Sequence, residues 1–184
     1  MSDFKKQFNT ETVKKLMDKL NIKNPMAVPR LQKIVVNTSM KDFLVDKKNI
    51  TKAAEDLAII TGQKPKLARA RISVATFKLR KGDEIGLAVT LRGARMYDFF
   101  EKIVKIVLPR VKDFAGIKNE SFDGQGNLSI GFTENTVFPE IDPGKVDKIR
   151  SFQITFVTSA QDNAKSKVLF EEMGMPFKKG GLKD

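Results

Sequence analysis

Cysteine, histidine and tryptophan are all absent from this sequence of 184 residues. Without a thiol or an imidazole, the chain can form no disulfide, no Ser-His-Asp or Cys-His catalytic site, and no thiolate or imidazole metal site. The lack of cysteine gives no indication of an oxidising compartment and favours the cytoplasm. No run of about 18 apolar residues and no charged-then-apolar leader occurs, so neither a membrane span nor a signal peptide is predicted.

The residues that are present are typical of a globular protein, with 41% apolar and 30% charged. The length fits a single domain, residues 1–184, that buries a core without disulfides, and the GGLKD end at about 180–184 is predicted to be frayed. Positive charge dominates, with a net charge of +12. Residues 1–92 hold 20 Lys or Arg against 9 Asp or Glu, whereas the rest hold 14 against 13. One strongly basic half indicates a polyanionic partner, nucleic acid first and a membrane surface second.

The spacing of apolar residues predicts an α+β fold: a mostly antiparallel β-sheet with helices packed on one face and a long basic β-hairpin loop. Helical spacing covers 13–20, 50–60 and 164–173, and a strong apolar stripe after Gly93 runs from Met96 until Pro109 ends it. The predicted strands cover 31–38, 85–91, 127–132, 152–158 and the alternating run around 69–74.

A basic hairpin is the sharpest signal in the sequence. Between Gly62 and Gly82 there are seven cations and no carboxylate: Lys64, Lys66, Arg69, Arg71, Lys78, Arg80 and Lys81. Alternation predicts that Ala70, Ile72 and Val74 pack on one face, while the arginines share the open face with Thr90 and Arg92. The alternative is an ordinary solvated face, but uncompensated cations repel one another unless a partner neutralises them. Phe77 is predicted in the hairpin core, the alternative being stacking on a base.

Motifs that would indicate an enzyme are weak. The G-x-G of DGQGN (123–127) lacks the third glycine that opens a dinucleotide-binding helix, and DPGKVD (142–147) lacks phosphate-loop spacing. Glu140 and Asp142 have no accompanying electrophile or metal set. We therefore expect no enzymatic activity, no catalytic residue, no metal site and no cofactor.

One segment carries only negative charge. From Asn119 to Gly144 there are five acids and no Lys or Arg: Glu120, Asp123, Glu134, Glu140 and Asp142. Such a surface suits a basic protein partner, although chance clustering in a loop-rich region stays open.

Seven stretches, in order, closely resemble one family: TGQKP (61–65), SVATFKLRKG (73–82), VTLRG (89–93), FFEKI (99–103), PRVKDFAGI (109–117), SFDGQGN (121–127) and FPEID (138–142). The chain resembles the bacterial L-five family of large-subunit ribosomal proteins, which bind 5S ribosomal RNA in the central protuberance. The resemblance runs from about residue 5 to Lys179. It implies a cytoplasmic ribosome component that attaches 5S RNA to the large subunit, contacts peptidyl-site tRNA, and bridges to a small-subunit head protein.

The resemblance also assigns roles to residues. Asn37, Gln63 and Thr90 match positions that hydrogen-bond 5S RNA. Phosphate contacts around them fall to Lys64, Lys66, Arg69, Arg71 and Arg92. The hairpin tip that faces tRNA carries Lys78, Arg80 and Lys81. The region toward the basic small-subunit partner carries Glu134, Glu140 and Asp142. Large-subunit RNA and neighbouring ribosomal proteins are further expected partners, and no membrane is.

Two departures from the family pattern change expectations locally. The glycine-rich turn that usually follows the first strand is replaced by TSMKDF, so backbone approach to RNA at residues 38–42 is not carried over. Thr76 stands where the family tends to have glycine, which predicts a stiffer tip. The alternative function is a free-standing RNA-binding or RNA-remodelling protein, and a peripheral membrane binder comes third because no cationic helix pairs with an apolar face.

Overall fold

The computed structural model describes residues 8–39, 47–142, 144 and 148–178. The predicted frayed end at 180–184 and residues 40–42 of the altered turn lie outside these ranges, as does most of DPGKVD. Within them the fold is α+β, as predicted: four α-helices accompany a five-stranded sheet. The helices are α1 (Val13–Leu20), α2 (Lys47–Thr61), α3 (Gly93–Lys102) and α4 (Asn163–Glu172). The strands are β1 (Leu31–Ser39), β2 (Lys66–Arg69), β3 (Glu84–Leu91), β4 (Leu128–Phe132) and β5 (Phe152–Thr158).

The helix ends follow from local chemistry. A left-handed Asn21 terminates α1, and Gly62, at φ +66°, terminates α2 while its N–H donates to the Ala58 carbonyl at 2.8 Å. The Asp162 side chain caps the start of α4 by accepting a hydrogen bond from the Ala164 N–H. The helices predicted from apolar spacing are therefore bounded by these capping residues.

Helix α3 continues beyond the point where Pro109 was expected to end it. The chain passes through a π-helical stretch, Ile103–Val107, into a last turn, Leu108–Arg110, that contains Pro109. The prediction was wrong by one residue, because proline is tolerated near the start of a helical turn, where its missing N–H is not needed. The apolar stripe itself is confirmed, with Met96 and Phe100 buried.

The strands are ordered β2-β3-β1-β5-β4. Beside β1 and β5, the Ser159 N–H donates to the Arg30 carbonyl at 3.0 Å, while at the opposite ends the Thr38 hydroxyl donates to the Ser151 carbonyl at 2.8 Å. The start of one strand thus faces the end of the other, which is antiparallel pairing. The pairing of β2 with β3 is antiparallel as well, so the predicted sheet type is confirmed.

Two compact units divide the chain. The first combines Met1–Ile34, Arg92–Ile130 and Thr155–Asp184, and the second combines Val35–Leu91 and Gly131–Ile154. A single domain over 1–184 stays a prediction.

Each unit has its own aromatic core. In the first, the Phe156 ring of β5 contacts Phe100 of α3 and Phe170 of α4 at centroid distances of 5.7 and 5.9 Å. In the second, the Phe138 ring contacts Phe132 and Phe152, both at 6.0 Å, and α2 packs against β3. In each unit, a described helix therefore packs against the strand side that carries the buried residues.

The DGQGN stretch forms a turn. The Asp123 carboxylate accepts hydrogen bonds from the Gln125 N–H at 2.8 Å, the Asn127 N–H at 3.0 Å and the Asn127 side-chain amide. Slight burial raises the pKa of Asp123, but these hydrogen bonds outweigh it and leave the pKa below its ordinary value. The glycines Gly124 and Gly126, both at positive φ, serve this turn.

Candidate nucleic-acid interface

Strand β3 separates a buried side from an open one. Leu87, Val89 and Leu91 are buried, whereas Thr90 between them is exposed. Strand β2 runs antiparallel to β3 with Lys66 opposite Ala88. Directly opposed residues point to the same side of a sheet, so the exposed Lys66 lies on the side that Ala88 and Thr90 share.

Strand β1 brings Asn37 to this open side. Its neighbours Val36 and Thr38 are buried, while Asn37 itself is exposed. Ser39 lies beside Gly86, since a methyl group on Gly86 would meet the Ser39 Cβ at 3.5 Å. Strands β1 and β3 are neighbours in the antiparallel sheet, so we infer that two residues back from Ser39 and two residues on from Gly86 bring Asn37 beside Ala88 and into one row with Lys66.

The segment before β2 completes the group. The Gln63 Nε2 donates to the Thr90 carbonyl at 3.3 Å, which fixes the amide at the edge of β3. Lys64 follows it and is exposed. We call these five residues the basic sheet face: Asn37, Gln63, Lys64, Lys66 and Thr90. The exposed Asn37, Lys66 and Thr90 thus lie on neighbouring strands, with Gln63 and Lys64 on the segment that leads into β2.

The arginines of the hairpin depart from the predicted single row. Between Ala68 and Arg69 the register shifts, and Arg69 pairs with Glu84. The extra residue lies in β3, so the alternation of side chains along β2 is unbroken. Lys66 and Arg69 are three residues apart and therefore point to opposite sides of the sheet, with only Lys66 on the side of Thr90. The Arg69 Nη2 instead lies 3.4 Å from the Glu84 Oε1. Sequence reasoning missed this carboxylate because it belongs to the returning strand.

Two other predicted cations lie just outside the strands β2 and β3. Arg71 is exposed beyond the end of β2, and Arg92 is exposed in the first compact unit. Of the eight predicted RNA-contacting residues, Asn37, Lys66 and Thr90 lie exposed on neighbouring strands, and Gln63 is bonded to the Thr90 carbonyl.

The hairpin beyond β2 is less regular than predicted. Strand β2 ends at Arg69, and Ile72 and Phe77, both expected to pack, are 70% and 62% exposed. Hydrogen bonds from the Ala70 N–H to the Asp83 carbonyl and from the Gly82 N–H to the Ala70 carbonyl close the base of the loop. Among the described residues, none covers Ile72 or Phe77 past this closure, so these two predictions were wrong.

Polar bonds, not a core, shape the tip. A 3₁₀ turn, Ala75–Phe77, leads to a left-handed Lys78 at φ +53°. The Ser73 hydroxyl accepts from the Lys81 N–H at 2.9 Å, and the Asp83 carboxylate accepts from the Arg80 N–H at 2.7 Å. Lys78, Arg80 and Lys81 all lie at the surface beside the exposed Phe77 ring.

The predicted acidic residues are also displayed to solvent. Glu134, Glu140 and Asp142 are exposed, whereas Phe138 and Ile141 between them are buried and anchor the segment. The Asp142 carboxylate accepts from the Gly144 N–H at 3.0 Å. The buried anchors hold the three carboxylates on the surface of the second unit.

Neither a metal cluster nor a membrane helix is found in the described ranges. No group of three or more acidic, histidine or cysteine side chains there could hold a metal ion. No helix there is both long and apolar enough to cross a bilayer.

Comparison with known proteins decides the family. Residues 24–80 match the family described as Ribosomal protein L5, and residues 84–177 match the family model for the C-terminus of the same ribosomal proteins. The chain belongs to the ribosomal protein L5 family. It is 49% identical over 178 residues to large ribosomal subunit protein uL5 of Desulfosudis oleivorans, covering 97% of this chain and 99% of that one. With uL5 of Dictyoglomus turgidum the identity is 50% over 179 residues, covering 97% and 100%.

Membership of the L5 family confirms the resemblance seen in the seven sequence stretches.

Proposed function

We propose that this L5 family protein is a structural constituent of the large ribosomal subunit in the cytoplasm and attaches 5S ribosomal RNA through the basic sheet face. The observation that carries the proposal is the row formed by Asn37 and Lys66 beside Thr90 on the open side of the sheet. Cations supply affinity by displacing counterions from phosphates, and neutral polar side chains fix the register of the RNA. Arg69, Arg71 and Arg92 would add phosphate contacts around this row.

Folded RNA suits this surface better than a single strand. Stacking platforms for single strands need exposed aromatic rings, and none belongs to the basic sheet face. A sheet side that offers amide, hydroxyl and ammonium groups matches phosphates and 2′-hydroxyls along an RNA helix.

The test is a filter-binding titration of the protein against transcribed 5S RNA at two salt concentrations, with excess unrelated tRNA as competitor. We expect binding that resists the competitor, because the polar groups of the face select the RNA shape. Loss of binding both at the higher salt concentration and with the competitor would mean that the face binds polyanions in general and does not select 5S RNA.

Asn37→Ala is expected to weaken 5S RNA binding by about 1–3 kcal/mol, since a buried RNA group would lose its hydrogen-bond partner. Asn119→Ala is the matched control, because Asn119 is also exposed and lies in the other unit. The same titration measures both variants. A change within about 0.5 kcal/mol for Asn37→Ala would remove this residue from the contact.

We further propose that the hairpin tip contacts peptidyl-site tRNA. Changing Lys78, Arg80 and Lys81 together to alanine is expected to weaken tRNA retention by ribosomes while large-subunit assembly survives, because the tip residues lie at the surface and are anchored by backbone bonds. Sedimentation measures assembly, and tRNA binding to the purified ribosomes measures retention. Normal tRNA binding in those ribosomes would disprove the tip assignment.

The acidic segment is the proposed contact for a basic small-subunit head protein. Glu134, Glu140 and Asp142 present negative charge from the unit that also holds the cationic hairpin. Opposite charge at such a surface favours the correct partner and discourages RNA from binding there. Neighbouring ribosomal proteins and large-subunit RNA complete the proposed environment.

A further inference from the structure

A cavity of about 410 Å³ lies in the first compact unit. Its walls include the rings of Phe8 and Tyr97, the side chains of Pro25 and Met26, and the Arg30 side chain. The two rings lie 5.7 Å apart at an angle of 41°. The volume falls within the range of small-ligand sites, which are lined mainly by apolar and aromatic side chains with a few polar groups.

Local hydrogen bonds hold the cavity wall in place. The Asn24 side chain accepts from the Met26 N–H at 2.9 Å and fixes the 3₁₀ turn Pro25–Ala27. The Arg30 Nη2 donates to the Met26 carbonyl at 3.3 Å. Met26 nevertheless keeps 74% of its surface exposed. A large apolar side chain is thus presented to solvent by a pre-organised turn, which lowers the entropic cost of binding a ligand.

Two polar groups at the cavity could still bind a ligand, the Tyr97 hydroxyl and the Arg30 guanidinium. Tyr97 is only 7% exposed, yet among the described residues its hydroxyl has no hydrogen-bond partner. Burial raises the pKa of Tyr97, and the nearby charge of Arg30 opposes that rise in part, so the hydroxyl is a neutral donor at pH 7. Arg30 is exposed and forms no ion pair with a carboxylate of the described residues.

We infer that this cavity takes an unstacked RNA base, with the Tyr97 hydroxyl bonded to the base edge and Arg30 on the adjoining phosphate. The inference rests on the proposed RNA-binding function. A base has flat faces for the aromatic, proline and methionine walls and a polar edge for the hydroxyl. An aliphatic side chain from a protein partner would leave the Tyr97 hydroxyl unpaired and Arg30 without an anion.

The test uses the fact that Tyr97 is the only tyrosine of the chain. Protein labelled with 3-fluorotyrosine carries one ¹⁹F reporter, located in the cavity wall. We expect its resonance to shift on saturation with transcribed 5S RNA, and to shift saturably with at least one of the four nucleoside 5′-monophosphates at millimolar concentration.

Two variants make the test specific. Met26→Ala and Arg30→Gln are each expected to weaken nucleotide binding about tenfold through lost stacking or lost charge. Both residues are exposed, so folding survives the changes. The matched controls are Ile149→Ala and Arg110→Gln, which alter an exposed apolar residue and an exposed arginine outside the cavity and should leave the shift unchanged.

The outcomes separate this inference from the proposed function. Suppose that 5S RNA binds, but that neither the RNA nor any nucleotide gives a ¹⁹F shift that is weakened by Met26→Ala and Arg30→Gln. The cavity assignment is then overturned, while the proposed function stands. If 5S RNA fails to bind, the proposed function fails, and the nucleotide titration still decides the cavity. A shift caused by deleting residues 2–7, without any nucleotide response, would assign the cavity to the chain's own N-terminal segment and overturn the inference.

Discussion

Alanine at both Lys64 and Lys66 is expected to weaken binding of 5S ribosomal RNA about 100-fold at moderate salt and to lower the salt slope of the affinity by about 1.5. Lys66 is on the open side of the sheet with Thr90, and Lys64 precedes it on the same exposed segment. Each lysine that neutralises a phosphate releases counterions, so its loss changes both the affinity and its dependence on salt.

A second double variant in the same hairpin sharpens the expectation. Arg69→Ala with Arg71→Ala removes the same charge, but Arg69 is already paired with Glu84 at 3.4 Å, so we expect a loss of only about threefold to tenfold. Lys112→Ala with Lys118→Ala serves as the control for general charge, because both lysines are exposed in the other unit.

Filter binding at two salt concentrations distinguishes these variants. Equal losses in all three would mean that net charge alone governs binding. A larger loss of affinity for the arginine pair than for the lysine pair would place the RNA contact at Arg69 and Arg71, beside the register shift, and not at the basic sheet face.

Much of the fold could be predicted because burial repeats with the period of each element. The alternation of Phe152, Ile154 and Phe156 predicted β5 with its bounds, and helical spacing with a terminal glycine predicted the end of α2. In these elements, residues near in sequence decide which side is buried.

The wrong predictions concern features that depend on residues distant in sequence. The register shift beside Arg69 depends on one extra residue in β3, which pairing reveals and the β2 sequence does not. Phe77 looked like a core residue because its phase fits the hairpin, but nothing in the described chain covers the tip. The cations that flank Phe77 in the sequence could have indicated that its side chain is exposed.

The candidate site shows the same division. The resemblance supplied Asn37, Gln63 and Thr90 as RNA-binding candidates, whereas the structure places Asn37 and Thr90 on neighbouring strands with Lys66 nearby and bonds Gln63 to the Thr90 carbonyl. The cavity beside Tyr97 was not predicted at all, because its walls come from segments about 70 residues apart that only the tertiary fold joins.

Asp56→Ala is expected to lower the free energy of unfolding by about 3–5 kcal/mol. The Asp56 Oδ2 lies 2.6 Å from the Arg150 Nη1, and the Arg150 side chain is only 4% exposed. Removing the carboxylate leaves a guanidinium buried without its counter-charge, which costs far more than the loss of a surface pair.

Arg150→Met should cost less, about 1–2 kcal/mol, although it breaks the same ion pair. Methionine fills much of the buried volume, and the Asp56 side chain left behind is 26% exposed and can reach water. Adding Arg150→Met to Asp56→Ala is therefore expected to restore part of the lost stability. Glu55→Ala, which changes a neighbouring acid on the same helix, is the control and should change stability by less than about 0.5 kcal/mol.

Urea denaturation followed by circular dichroism measures all four variants. A loss below about 1 kcal/mol for Asp56→Ala, or a double variant less stable than Asp56→Ala alone, would show that the guanidinium finds water or another partner in the folded state. The expected order would instead mean that the pair, 94 residues apart in sequence, ties the segment after the acidic residues to α2. The unit that presents the basic sheet face would then owe a large part of its stability to one buried charge pair that also limits which substitutions either segment can accept.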